Sequence, residues 1–249
     1  MTVSRLLSLP LLALAPLMLA ACDDAATTDG AVAAGDPIPA IAAPAGTNWA
    51  DTVTVTPEGG YKIGNPDAPL KLVEYASHTC GACANFAKTG KPVIKQKYVP
   101  TGVVSFEQRE VFLNPYDVVI AGLTQCGAKE QMQPLSDEVW QNLDQVFTGL
   151  QGNPAAVEAA GQLPINQRFA VMAEVTGLLE FFAARGLSAD QGRACLSDAA
   201  RIEALVKNTE TMSKQDRITG TPTFFLNGQR MDGTAWELIE AQLQRAGAR

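Results

Sequence analysis

The chain has 249 residues, 47% of them apolar, with five cysteines, one histidine and a formal net charge of −7. That is enough apolar surface for a sizeable core in one or two domains, while the acidic balance argues against nucleic acid, whose phosphates need a basic face. A single histidine excludes every site that needs two, and five cysteines are too few for a disulfide scaffold of this length and odd in number, so at least one lies outside internal pairing.

Arg5 precedes an apolar run from Leu6 to Leu19. The run is short for a bilayer span and suits the h-region of a secretory signal. Leu19-Ala20-Ala21-Cys22 resembles a bacterial lipobox. That resemblance implies a signal peptide over 1–21, cleavage before Cys22 and acylation of Cys22, which would anchor the chain to a membrane. Asp23 and Asp24 resemble the signal that retains lipoproteins in the inner membrane, facing the periplasm. Residues 23–48 are mostly small residues and prolines. They bury too little to fold, so 22–50 is expected to be the lipidated cysteine and a flexible tether, with 51–249 folded.

Val53–Val55 and Tyr61–Ile63 are expected to be short strands, followed by a turn at Asn65-Pro66-Asp67. Leu70–Ala76 reads as a central strand, apolar on both faces. Cys83, Phe86, Ala87, Gly90, Val93 and Ile94 then fall at helical spacing, with Pro92 expected to kink the helix. Val103–Phe112 reads as a second strand, completing strand–helix–strand and the start of a parallel sheet. A long helical stretch follows, expected to be divided by Pro115, Pro134, Pro154 and Pro164 and to end in a helix near 199–216. Thr223–Leu226, the Asn227-Gly228 turn and Gln229–Met231 form a hairpin, and a helix from Trp236 to Leu243 closes the chain.

The chemistry centres on His78-Thr79-Cys80-Gly81-Ala82-Cys83, at a strand-to-helix junction. A cysteine at a helix N-terminus meets unpaired N–H groups and the positive end of the macrodipole. Both favour thiolate over thiol, making the sulfur a nucleophile and a good leaving group. The two-residue spacer puts the second sulfur one turn on. Cys80 would then attack or be attacked, and Cys83 would resolve the mixed disulfide. A structural zinc site, which needs further ligands, and a purely structural pair are the alternatives. Leu70, Leu72 and Glu74 share one face of their strand by period two, so Glu74 points where apolar residues point, and burial would raise its pKa.

Three separated pieces resemble the thioredoxin superfamily, and within it the DsbA-like disulfide oxidoreductases. They are the VEYASHTCGACANF block, the TGTPTFFLNG stretch at 219–228, and the long helical segment between them. The resemblance covers roughly 60–245 and implies an α/β thioredoxin-like fold with a helical insertion over about 113–217. It implies that Pro222 is a cis-proline facing the active-site disulfide and that Thr221 offers its backbone to substrate. It also implies that Glu74 is the acidic group beneath the site, able to move the proton of Cys83. Family members that oxidise strongly often carry a histidine between the two cysteines; here the dipeptide is Gly81-Ala82, so a less depressed Cys80 pKa is expected. His78 is expected to be an exposed loop residue. Some DsbA-like proteins have a second disulfide in the insertion, which implies a Cys126–Cys195 bond; two unbonded buried cysteines are the alternative.

The expected function is therefore an extracytoplasmic thiol-disulfide oxidoreductase that forms disulfides in unfolded or partly folded envelope proteins and is reoxidised by a membrane redox partner. No cofactor, metal or nucleic acid is expected, and the chain is expected to be a monomer. A reductase or isomerase on the same fold, and a non-catalytic peptide-binding lipoprotein, are the rivals.

Overall fold

A computed structural model describes residues 32–249. The signal peptide read over 1–21 and the acyl acceptor Cys22 lie outside the described residues. Among the described residues six strands form one sheet, in the order β1-β2-β4-β3-β5-β6. They are β1 (Val53–Val55), β2 (Tyr61–Ile63), β3 (Leu70–Ala76), β4 (Val104–Glu110), β5 (Thr223–Leu226) and β6 (Gln229–Arg230). Only β3 and β4 run parallel, with Glu74 opposite Gln108; every other pair is antiparallel. The parallel pair needs a crossover, which α1 (Gly81–Val93) supplies. Pro92 does not end that helix, which runs on to Val93 and widens into a π-helical stretch over Ile94–Tyr98.

One face of the sheet carries the first core. Leu70, Leu72, Phe106, Phe224 and Leu226 pack there against Phe86 of α1 and against Trp236, Ile239 and Leu243 of α10 (Trp236–Arg245). The other face is covered in part by the end of α9 (Ala199–Gln215), where Met212 meets Tyr75 and Val111.

Between β4 and β5 the chain leaves the sheet and makes a helical body with its own core. It comprises α2 (Pro115–Thr124), α3 (Lys129–Gln141), α4 (Leu143–Gln151), α5 (Pro154–Gly161), α6 (Ile165–Val175), α7 (Leu178–Ala183), α8 (Ala189–Ser197) and α9. Val119, Ile120, Leu123, Ala173, Leu179, Phe182 and Leu196 are at its centre. Pro115 and Pro154 each occupy the first helical position, where no N–H is needed, and Pro164 is an N-cap. Pro134 departs from expectation: it lies inside α3 rather than dividing two helices. Losing one backbone hydrogen bond there is outweighed by the burial of Met132, Leu135, Val139 and Trp140 on the same helix.

Residues 32–48 also depart from the tether reading. Gly35 N–H donates to Arg245 O at 2.9 Å, Ile38 N–H to Gly247 O at 2.9 Å and Ile41 N–H to Thr101 O at 2.8 Å, so the segment is bonded along the closing helix and onto the β4 approach. Val32 is buried among the sheet-side core residues. Gly102 at φ +72° makes the approach possible, because a Cβ there would stand 2.3 Å from Ile41 O. A composition poor in bulky side chains hid this, because the docking uses backbone groups.

Candidate active site

β3 ends at Ala76, and after three intervening residues Cys80 caps α1 from an extended backbone (φ −88°, ψ 119°). The connecting Ser77-His78-Thr79 is fixed almost entirely by the helical body. Asp117, fully buried in the first turn of α2, accepts hydrogen bonds from Ser77 Oγ (2.9 Å), Thr79 N–H (3.0 Å), Thr79 Oγ1 (3.2 Å) and Leu113 N–H (2.8 Å). Asn114 Nδ2 donates to Thr79 Oγ1 at 2.7 Å. Trp140 Nε1 of α3 donates to Ser77 O at 3.1 Å, and its indole stacks on the His78 ring at 5.0 Å between centroids.

His78 is buried, not the exposed loop residue expected from its position. Its Nε2 lies 2.9 Å from Ser136 Oγ and its Nδ1 lies 3.2 Å from Glu110 Oε2. The body formed by α2 and α3 folds over the segment and takes His78 out of water, which a local reading of a strand-end loop does not foresee.

The two cysteines have free thiols in opposite environments: Cys80 is half-buried and Cys83 fully buried. The Cys83 N–H donates to Cys80 Sγ at 3.2 Å. The Cys80 thiol is brought down from 9.0 to about 5, chiefly by a hydrogen bond from the Cys83 thiol; partial burial opposes this, and Thr221 and the backbone N–H groups of Cys83 and Ala82 add to it. With no histidine between the cysteines, helix-end amides and the neighbouring thiol are what depress the Cys80 thiol. Burial pushes the Cys83 thiol far up, and its bond to Cys80 and the charge of Glu74 add to that rise.

Glu74 is fully buried, and its charge acts on Cys83. Burial raises its pKa from 4.5 to about 7, against the opposing pull of Lys91. Lys91 Nζ lies 3.4 Å from Glu74 Oε2, an ion pair without hydrogen-bond geometry, so both carboxylate oxygens lack a donor. Lys91 is itself buried, donates to Gln108 Oε1 at 2.7 Å and sits 3.9 Å above the Trp140 ring. Asp137 Oδ1 lies 3.5 Å from Lys91 and the other Asp137 oxygen pairs with Lys95, which carries the charge chain outward. Lys91, Asp117, Ser136, Asp137 and Trp140 were not anticipated from the sequence. Lys91 carried a signal, since it falls on the apolar side of its helix beside Gly90 and Ile94; the others reach the Ser77–Thr79 segment or Lys91 from 38 or more residues away and carried none.

The Thr221–Pro222 bond is cis, and Cys80 Sγ lies 3.3 Å from Thr221 O. The Thr221 hydroxyl is buried with no hydrogen-bond partner. Cys80, Cys83, Glu74, Thr221 and Pro222 thus converge on one place. Cys126 and Cys195 are elsewhere, bonded to each other across the helical body with Cα atoms 5.9 Å apart. Among the described residues no group of three or more His, Cys, Asp or Glu side chains could hold a metal, and no helix is long and apolar enough to cross a membrane.

A half-buried acidified sulfur, a buried partner one turn on and a carbonyl edge against the first sulfur are a geometry for thiol–disulfide exchange on a thioredoxin-like fold. The family model described as Thioredoxin matches residues 56–245, and the chain belongs to that family. It is 26% identical over 190 residues to a Rickettsia bellii protein provisionally named a protein-disulfide oxidoreductase, covering 76% of this chain and 65% of the relative, so it spans under two thirds of that protein's length. Among solved structures it is similar to a protein-disulfide isomerase from Novosphingobium aromaticivorans, at 27% identity and a TM-score of 0.68 over 74% of this chain and 94% of the other. The alpha-DsbA1 of Wolbachia pipientis shares the fold, at 22% identity and a TM-score of 0.62 over 77% of this chain and 92% of the other.

Proposed function

We propose that the chain is an extracytoplasmic thiol-disulfide oxidoreductase that gives its Cys80–Cys83 disulfide to unfolded or partly folded envelope proteins. The observation that carries this reading is the contrast between a Cys80 thiol lowered to about 5 and a buried Cys83 thiol pushed up. A substrate thiolate attacks Cys80 Sγ, the Cys80–Cys83 bond breaks, and Cys83 leaves with the electron pair. Glu74, raised to about 7, is poised to give the Cys83 sulfur a proton at neutral pH. A second substrate thiolate then attacks the substrate sulfur of the mixed disulfide, and Cys80 departs as a stabilised thiolate. Two electrons have passed to the chain, and a membrane redox partner removes them. A low leaving-group pKa favours this direction. Pro222 and the backbone of Thr221 form the edge along which the substrate strand lies.

Acylation at Cys22 and a monomeric state, anchored at the inner membrane and facing the periplasm, complete the proposal. A Cys22→Ser chain is expected to lose acyl labelling and fractionate away from membranes; continued membrane association would overturn the anchor. Isomerisation is the second reading, favoured by the similarity to the Novosphingobium isomerase. Equilibration with glutathione separates the readings: a reduction potential toward about −120 mV supports donation, and one near about −270 mV overturns it.

A further inference from the structure

A cleft of about 930 Å³ opens beside the sulfurs, between the helical body and the stretch that leads to Thr221. Phe112, Val118, Phe169, Met172, Val206 and Ile218 line its wall. Leu113 is 55% exposed at its lip, a large apolar side chain left in water next to the loop that holds Thr79. Thr219 and Gly220 form its near end, so the cleft runs to within one residue of the carbonyl that touches Cys80 Sγ.

Its charged groups are unbalanced. Arg168, Lys214 and Arg217 border it, with Glu210 the single acidic residue in the lining. Glu210 lies 3.5 Å from Lys214 Nζ in an exposed pair, and Arg168 spends its Nε on Leu163 O. Among the described residues the Arg217 side chain has neither ion pair nor hydrogen bond, although its backbone is bonded on both sides. On a chain of net charge −7, three cations around one apolar cleft mark that place out.

We propose that this cleft takes the stretch of substrate polypeptide flanking the reacting cysteine, and that it selects apolar stretches carrying carboxylates. The proposal rests on the exchange reading above and names the substrate class for that site. The occupant is an extended chain because the cleft begins at the Thr221 edge, where a strand would lie. Its charge follows from the cations. Arg217 stands four residues before Thr221, and four extended residues reach roughly 13 Å, so the carboxylates belong within about four residues of the substrate cysteine.

The test uses the full chain and synthetic peptides with one cysteine in an apolar stretch, bearing two glutamates or two lysines four residues from it. Each is made with the charges on either flank, and each has a serine counterpart for binding alone. The glutamate peptides are expected to form the mixed disulfide with the oxidised chain about three- to tenfold faster than the lysine peptides, on one flank at least, given the modest worth of exposed charge pairs. The serine counterparts are expected to bind in the same order, with the difference shrinking in high salt. In a Lys214→Glu/Arg217→Glu chain the order should vanish or reverse, while the rate with dithiothreitol stays unchanged. Equal rates and equal binding for the two peptides, or an order that survives the double substitution, would overturn the proposal. Inertness toward dithiothreitol would instead sink the exchange reading, and the serine peptides would still decide the cleft.

Discussion

The sheet-borne half of the site and the helix-borne half do different work. β3, α1 and the Thr221–Pro222 stretch bring the atoms to which the proposed exchange is assigned: two sulfurs, a carboxylate and a carbonyl edge. α2 and α3 bring none of these. They bring Asp117, Ser136, Asp137 and Trp140, which hold the three residues ahead of Cys80 and pair the buried Lys91. The difference teaches that the insertion, besides adding bulk, is the wall against which the reacting segment is set. Changes in the first half should therefore alter chemistry with little loss of stability, and changes in the second should do the reverse.

Cys80→Ala is the sharpest test of the first half. Disulfide exchange with peptide thiols should fall to background while the thermal midpoint stays within a few degrees; an active variant would overturn the role of Cys80. Removing the helical disulfide by Cys126→Ser/Cys195→Ser should do the opposite. Closing a loop of about 70 residues is worth about 4 kcal/mol on chain-entropy grounds, so urea denaturation should show a loss of that order with the exchange rate nearly kept. Asp117→Ala leaves the Thr79 and Leu113 N–H groups without their acceptor, and a loss of about 3 kcal/mol in the same measurement is expected. If Asp117→Ala instead abolished exchange at unchanged stability, the division between the halves would fail.

Glu74→Gln is a smaller effect with a telling pH profile. Resolution of a trapped mixed disulfide should slow by about a hundredfold near neutrality and lose its inflection near pH 7. Stability should change in a defined direction as well. The folded pKa of about 7 is above the ordinary 4.5, so the contribution of Glu74 is full below pH 4.5 and lost as pH rises through 7. The glutamine chain should lack that decline. Cys80 has the opposite sign in the reduced protein: its folded value of about 5 is below 9.0, so its contribution is present above pH 9 and lost as pH falls through 5. Alkylation of the reduced chain across pH should place its midpoint near 5, and a midpoint near 9 would remove the basis of the leaving-group argument.

What could be read from the sequence follows the same division. The β3 strand, the N-terminal cysteine of α1 and the β5–β6 hairpin were legible because each depends on neighbours: period two, a cysteine pair at one-turn spacing, an Asn-Gly turn. Glu74 was legible for the same reason, through its shared face with Leu70 and Leu72. The buried state of His78 was not, because its partners Ser136 and Trp140 lie about sixty residues on. Pro134 misled because a proline is read locally, whereas the packed face of α3 decides where that helix runs. The docking of 32–41 was hidden because it uses backbone groups that composition does not reveal.

That docking has a directional consequence. Ile41 is bonded to Thr101, just ahead of the start of β4, while Cys80 follows the far end of its parallel neighbour β3. Seven residues of strand separate the two poles by about 23 Å. The docking point of Ile41 and the Cys80 sulfur therefore lie at opposite ends of the parallel strand pair.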